Sequence, residues 1–65
     1  MHKTSRIPIF YVVVRGGRRT TPVDFWTKDR ADEEASRIRK RLKTWSDPDY
    51  KRIEIIKTTH PESIT

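Results

Sequence analysis

The sequence predicts an α+β fold in which three antiparallel strands, in the sheet order 2-1-3, carry one helix on one face. Two observations lead to it. Runs of β-branched residues lie near both ends of the chain, and a central segment has apolar residues at helical spacing. The element order is therefore ββαβ, in one small domain over residues 1–65. Residues 1–6 and 60–65 are predicted to be flexible tails.

The first two strands are predicted to form a hairpin. Ile7–Val14 is rich in β-branched and aromatic residues, which favours a strand. Gly16-Gly17 follows it and can adopt the positive φ angles of a tight two-residue turn. The return strand is predicted over Arg19–Trp26. Because Pro22 cannot donate a hydrogen bond to a neighbouring strand, this strand is placed at a sheet edge with Pro22 toward solvent.

The segment after the hairpin has the pattern of an amphipathic helix. Acidic residues crowd its first turns and basic residues its last turns, which suits the helix dipole. Thr27 or Asp29 can cap its start, and Ser46–Asp49 is predicted to end it. The third strand is predicted over Lys51–Thr58. The apolar stripe predicted to dock on the sheet comprises Ala31, Ala35, Ile38, Leu42 and Trp45.

The predicted register decides which residues lie beneath the helix. A right-handed crossover through the helix puts the third strand beside the first, which becomes the central strand. The two-residue turn then sets Phe10 opposite Val23 and Val12 opposite Thr21. A slip of one residue would exchange the two faces. The predicted helix face comprises Phe10, Val12, Val14, Val23 and Phe25, and the predicted open face comprises Ile9, Tyr11, Val13 and Trp26.

Charge is the strongest indication of function. Fifteen Lys and Arg against nine Asp and Glu give a formal net charge of +6, which favours polyanions and acidic protein surfaces as partners. The chain has no Cys, so it has no disulfide and no thiolate metal site, as is typical of a reducing cytoplasm. No apolar run approaches the ~20 residues of a membrane span, so no membrane partner is expected.

Catalysis is not expected from this sequence. The two histidines, His2 and His60, fall in the predicted tails, and the helix carboxylates sit among basic residues. General acid–base chemistry needs a positioned pair of groups in a cleft. Asp47-Pro48-Asp49 has too few oxygen ligands for a calcium loop and is interpreted as a turn. We therefore expect no enzymatic activity, no cofactor and no bound metal.

Two basic clusters form the candidate binding site. One is the tip of the predicted hairpin, and the other is the C-terminal half of the predicted helix, which no acidic residue balances. Guanidinium groups match phosphate oxygens in geometry and charge. The alternative interpretation of both clusters is a solvated surface that keeps the chain soluble. The residues assigned to contacts with nucleic acid or an acidic partner are Arg15, Arg18, Arg19, Arg37, Arg39 and Arg41.

Aromatic residues on the predicted open face suggest a further contact surface. Tyr11 and Trp26 would lie there, where they could stack on bases or form the face of a homodimer. The alternative is simple hydrophobic cover, either by Trp45 and the tails or by a second copy of the chain.

Parts of the chain resemble two known groups of proteins. The Tyr11–Arg15 run, the Phe25–Lys28 segment and the helical spacing after it are similar to the arm-type DNA-binding domain of tyrosine integrases. In that domain a small antiparallel sheet precedes a helix opened by a Phe-x-Thr-Lys-like segment, but all three strands come before the helix. The chain also resembles small phage and mobile-element proteins of ββαβ order, several of which inhibit host defence systems. The first resemblance implies DNA contacts on the sheet and hairpin, and the second implies a protein target.

Two hypotheses follow from the sequence. The first is a small basic, non-enzymatic nucleic-acid-binding protein that contacts phosphates through its hairpin and the basic half of its helix. The second is a phage-type inhibitor or adaptor that binds an acidic surface on a nucleic-acid-handling or defence complex. The sequence does not choose between DNA and RNA for the first hypothesis, and it does not name a protein target for the second.

Overall fold

The computed structural model describes residues 8–65 and has the predicted architecture. Its sheet is antiparallel, with the strand order β2-β1-β3, and one helix packs on it. The α+β class and the strand order are therefore confirmed. The elements are β1 (Phe10–Arg15), β2 (Arg18–Arg19), α1 (Lys28–Thr44), a 3₁₀ helix (Pro48–Arg52), β3 (Ile53–Thr58) and a second 3₁₀ helix (Pro61–Ser63).

The hairpin turn forms at the predicted glycines. Gly16 and Gly17 have φ angles of 59° and 88°, and a type I′ turn requires positive φ at both central positions. The turn pairs Arg15 with Arg18 directly across the two strands. Two-residue turns of this kind fix the register of the strands they join.

The predicted return strand is interrupted just after Arg19, for a reason that lies in Pro22. At the register set by the turn, Pro22 would stand opposite Tyr11, at a position where its backbone N–H must bond to β1. Proline has no N–H to donate. The chain loops past it and rejoins β1 at Phe25, which exchanges backbone hydrogen bonds of 2.8 and 2.9 Å with Tyr11. Within residues 8–65 the predicted pairs Phe10–Val23 and Val12–Thr21 do not form.

The helix covers the other face of the sheet from the one predicted. Val13, expected on the open face, is fully buried in the core beneath α1, and Tyr11 packs beside it. Phe25 also packs against this core, as predicted, because the shift in register brings it opposite Tyr11. Since β1 is apolar on both faces, its sequence does not show which face the helix takes. The core comprises Val13, Ala31, Ala35, Ile38 and Ile53.

The far face of the sheet is covered by the C-terminal segment. Val12 and Val14, predicted to lie under the helix, are fully buried on this far side. The 3₁₀ helix at Pro61–Ser63 contacts β1, and Pro61 is buried. Residues 60–65, predicted to be a flexible tail, thus pack on the sheet, and the face opposite the helix, predicted to be open unless the tails or a second copy covered it, is covered. The predicted tail over residues 1–6 lies outside the described residues.

The helix begins as predicted but ends one residue before the end of its apolar stripe. The Thr27 hydroxyl caps it by accepting a 3.3 Å hydrogen bond from the backbone N–H of Arg30. At the other end the chain leaves the helix after Thr44, and Ser46 takes a positive φ of 56°. Trp45 is consequently 77% exposed and does not dock on the sheet.

Candidate nucleic-acid interface

The hairpin sends its two adjacent arginines to opposite sides of the sheet. Side chains alternate along a strand, and residues paired across two strands share a face. Arg18 pairs with Arg15 and lies on the helix side, whereas Arg19 pairs with Val14 and lies on the far side. The six arginines predicted to form one surface therefore have different surroundings.

Arg19 is a structural residue that holds the C-terminal segment in place. Its Nη2 donates to the carbonyl oxygen of Pro61 at 2.8 Å, and its Nε donates to that of Ile64 at 2.9 Å. Its backbone N–H bonds to the Thr65 carbonyl oxygen at 2.9 Å. Its Nη1 forms an ion pair with Oδ1 of Asp24 at 2.9 Å. That buried oxygen accepts no well-aligned hydrogen bond from any of residues 8–65. The guanidinium is thus largely occupied.

Arg15 ties the hairpin to the loop that follows the helix. Its Nε donates to Asp49 at 2.9 Å, and its Nη2 donates to Asp47 at 3.0 Å. The hydrogen bond that Arg15 donates to Asp49, followed by the negative charges of Asp49 and Asp47, raises the pKa of the Arg15 guanidinium. The Asp47-Pro48-Asp49 turn therefore does more than stop the helix. It fixes the hairpin tip relative to the C-terminal end of α1, a contact that no spacing in the sequence reveals.

Two of the predicted helix arginines are also engaged with the protein. Arg37 forms an ion pair with Glu34 one turn earlier. Arg39 lies on the β3 side of the helix and donates a 2.9 Å hydrogen bond from Nη2 to the carbonyl oxygen of Ile53. Arg37 remains largely exposed, whereas Arg39 is half-buried against β3. The predicted basic half of the helix is accordingly divided between two sides.

Arg18 and Arg41 are brought together by the fold. They line an open groove of about 760 Å³ between the hairpin and the C-terminal half of α1. Neither has an acidic side chain within ion-pair distance in the part of the chain that the structure describes. Apolar side chains of Ile38, Leu42 and Trp45 line the same groove.

The groove exists because β2 is short. The helix packs on β1 and β3 and leaves the β2 side of the sheet uncovered. The side chain that faces α1 there is Thr20, which is small. Its hydroxyl donates a hydrogen bond to the Val13 carbonyl oxygen. The two acidic residues of the groove, Glu34 and Asp47, are already engaged by Arg37 and Arg15. The groove therefore presents net positive charge over an apolar floor.

The two aromatic residues predicted to share an open face lie on different sides. Tyr11 is half-buried against the core under the helix. Trp26 is 69% exposed, and its ring lies 4.6 Å from that of Phe10. The aromatic residue that lies beside free arginines is Trp45, which the sequence pattern assigned to the core. Its place as the last residue of the stripe, directly before the helix stop, was the only signal available.

A second basic and aromatic cluster adjoins the groove. The Nζ atoms of Lys43 and Lys51 lie 5.1 and 5.8 Å from the centre of the Tyr50 ring. These three side chains line a shallow depression that shares Asp47 with the groove. Positive charge therefore continues around the C-terminal end of the helix.

Within residues 8–65 no group of three or more His, Asp or Glu side chains is arranged to hold a metal ion. No helix in that range combines the length and apolar character needed to cross a bilayer.

Comparison with known proteins gives no relative. No family model matches the chain, and no curated protein or solved structure is significantly similar to it. The resemblances to integrase arm domains and to small phage proteins stay predictions from the sequence.

Proposed function

We propose that this protein binds nucleic acid, with phosphates held between Arg18 of the hairpin and Arg41 of the helix. One observation supports the proposal above all. These two arginines come from separate elements, line one groove and have no acidic partner among the described residues. An anion that enters the groove therefore gains two guanidinium contacts without breaking an ion pair.

The neighbouring ion pairs fix the hairpin side of the groove before a ligand binds. Asp47 and Asp49 hold Arg15, so the hairpin tip is positioned before any ligand arrives. Preorganised donors bind more tightly because less conformational entropy is lost on binding. The net charge of +6 adds long-range attraction for a polyanion. Nucleic acid fits this arrangement, since it presents phosphates in a regular series along a flexible or helical backbone.

The proposal is tested by measuring the affinity for labelled oligonucleotides at several salt concentrations. Each phosphate contact should contribute roughly −0.7 to −0.9 to the slope of log affinity against log salt. The double variant Arg18→Ala/Arg41→Ala should bind about tenfold more weakly at about 50 mM salt, with a slope shallower by one to two units. Fluorescence anisotropy measures both quantities.

A matched variant separates the groove from general charge. Lys40→Ala/Lys57→Ala removes the same two charges at exposed positions outside the groove, and it should weaken binding less than about threefold. Equal losses in the two double variants would show that the groove is not the site. If poly-glutamate competed as well as an oligonucleotide of equal charge, an acidic protein surface would replace nucleic acid as the partner class.

A further inference from the structure

We infer that the groove selects single-stranded nucleic acid by stacking an unpaired base on the indole of Trp45. The inference rests on the proposed function and names the class of nucleic acid that the site accepts. Trp45 lines the groove with Arg18 and Arg41 and is 77% exposed. An aromatic plane beside guanidinium groups is the combination that single-strand binding requires.

The backbone of Trp45 is fixed although its ring is free. Its N–H donates to the carbonyl oxygens of Arg41 and Leu42 at 3.2 and 3.1 Å, which anchors the residue at the end of the helix. The fold therefore does not depend on contacts of the Trp45 ring, which lies at the surface on an ordered backbone. The ring exposes apolar area whose burial against a ligand is favourable.

The other exposed tryptophan shows what Trp45 lacks. The ring of Trp26 already packs against Phe10, at a distance of 4.6 Å and a tilt of 50°. Trp26 is also absent from the groove that holds Arg18 and Arg41. The two indoles are similarly exposed, but only one has both a free face and nearby cations.

Stacking on Trp45 favours single strands because the faces of the bases are inaccessible in a duplex. In a duplex each base is stacked on its neighbours, so its faces are closed to a protein side chain. A duplex could contact Arg18 and Arg41 through its phosphates, but it could not place a base over Trp45. Ile38 and Leu42 continue the apolar floor beside the indole and would exclude water from the stacked base.

The test compares oligo(dT) and oligo(U) of about 20 nucleotides with a duplex of the same length, for the wild type and for variants of its two tryptophans. The wild type should bind the single strands about tenfold or more tightly than the duplex. Trp45→Ala should weaken single-strand binding about tenfold and change duplex binding less than twofold. Trp26→Ala, the matched control, should leave both affinities within twofold. In Trp26→Phe, where Trp45 is the only tryptophan, single strands should quench the fluorescence and the duplex should not.

The affinities for single strands and duplex distinguish a failure of base stacking from a failure of nucleic-acid binding itself. If single strands and duplex bind equally, and Trp45→Ala weakens neither, the stacking inference is overturned while phosphate binding stands. If Trp45→Ala weakens duplex and single strands alike, the indole has no selective role, which also overturns it. If no nucleic acid binds at low salt, both fall. Trp45→Phe, which retains an aromatic face, should keep more than a third of the single-strand affinity, whereas equal losses in Trp45→Phe and Trp45→Ala would overturn stacking.

Discussion

The sheet is closed on both faces, by a helix on one and by a short C-terminal segment on the other. The helix face is held by apolar packing, and no polar residue is buried among the residues described. On the far face Val12 and Val14 are fully buried beneath a segment that contributes one buried residue, Pro61. What holds that segment is the hydrogen bonding of Arg19.

Together the two faces show how a small domain can cover both sides of a sheet with few residues. The helix buries more apolar area, so packing contributes most of its attachment, and one hydrogen bond from Arg39 to the Ile53 carbonyl oxygen adds to it. A short segment buries less, so directional hydrogen bonds have to fix its position, and a guanidinium can make several at once. One face therefore depends on the volume of its side chains, and the other depends on one cation.

The largest effect is expected on the helix face. Ile38→Ala should lower the free energy of unfolding by about 2–5 kcal/mol, because it leaves a cavity between α1 and the sheet. This loss is of the order of the whole stability of a domain this small. Urea denaturation followed by circular dichroism measures it. Ser36→Ala, at an exposed site on the same helix, should change stability by less than about 0.5 kcal/mol. A loss below about 1 kcal/mol for Ile38→Ala would show that the helix face is not the main core.

A smaller but more selective effect is expected on the far face. Arg19→Ala should cost about 1.5–3 kcal/mol, because it leaves the carbonyl oxygens of Pro61 and Ile64 without their charged donor. Arg18→Ala removes the same charge from the neighbouring position and should cost less than about 0.5 kcal/mol. The same denaturation experiment compares them. Equal stability of the two variants would mean that the C-terminal segment does not depend on Arg19.

The smallest effect is expected where the helix face borders the groove. Leu42 is only half-buried, so Leu42→Ala should cost about 1–2 kcal/mol, less than Ile38→Ala. The comparison locates the edge of the core, since Leu42 packs against it and also lines the groove. If thermal and urea denaturation gave equal losses for Leu42→Ala and Ile38→Ala, the groove would be closed in solution.

The elements of this fold could be predicted from the sequence, but the face that the helix covers could not. Helical spacing and the glycine turn are local signals, and each produced the expected element. The assignment of residues to the two faces depended on Pro22, because Pro22 makes the chain leave the sheet and rejoin β1 at Phe25. It also depended on the C-terminal segment, whose cover of Val12 and Val14 lets β1 be apolar on both sides. Neither effect produces a periodic pattern of residues in the sequence, so neither could be predicted from spacing.

The candidate site was predicted in part for a related reason. Sequence shows where arginines cluster, but it does not show which of them already have partners. Arg19 and Arg39 bond to backbone carbonyl oxygens of distant residues, and Arg15 bonds to a loop beyond the helix. Only Arg18 and Arg41 are both free of acidic partners, within residues 8–65, and turned to the same groove.

The pairing of β1 with β3 dictates when this chain can fold during its synthesis. Every residue of β1 pairs with one in Ile53–Thr58, whereas the local hairpin pairs only two. Pairings so distant in sequence form slowly, because a long loop must close before they contribute. On the ribosome the Val12–Val14 run therefore stays exposed until β3 has been made, and its far face stays exposed until Pro61 follows. That interval, rather than the finished protein, is when chaperones or intermolecular β pairing would act on it.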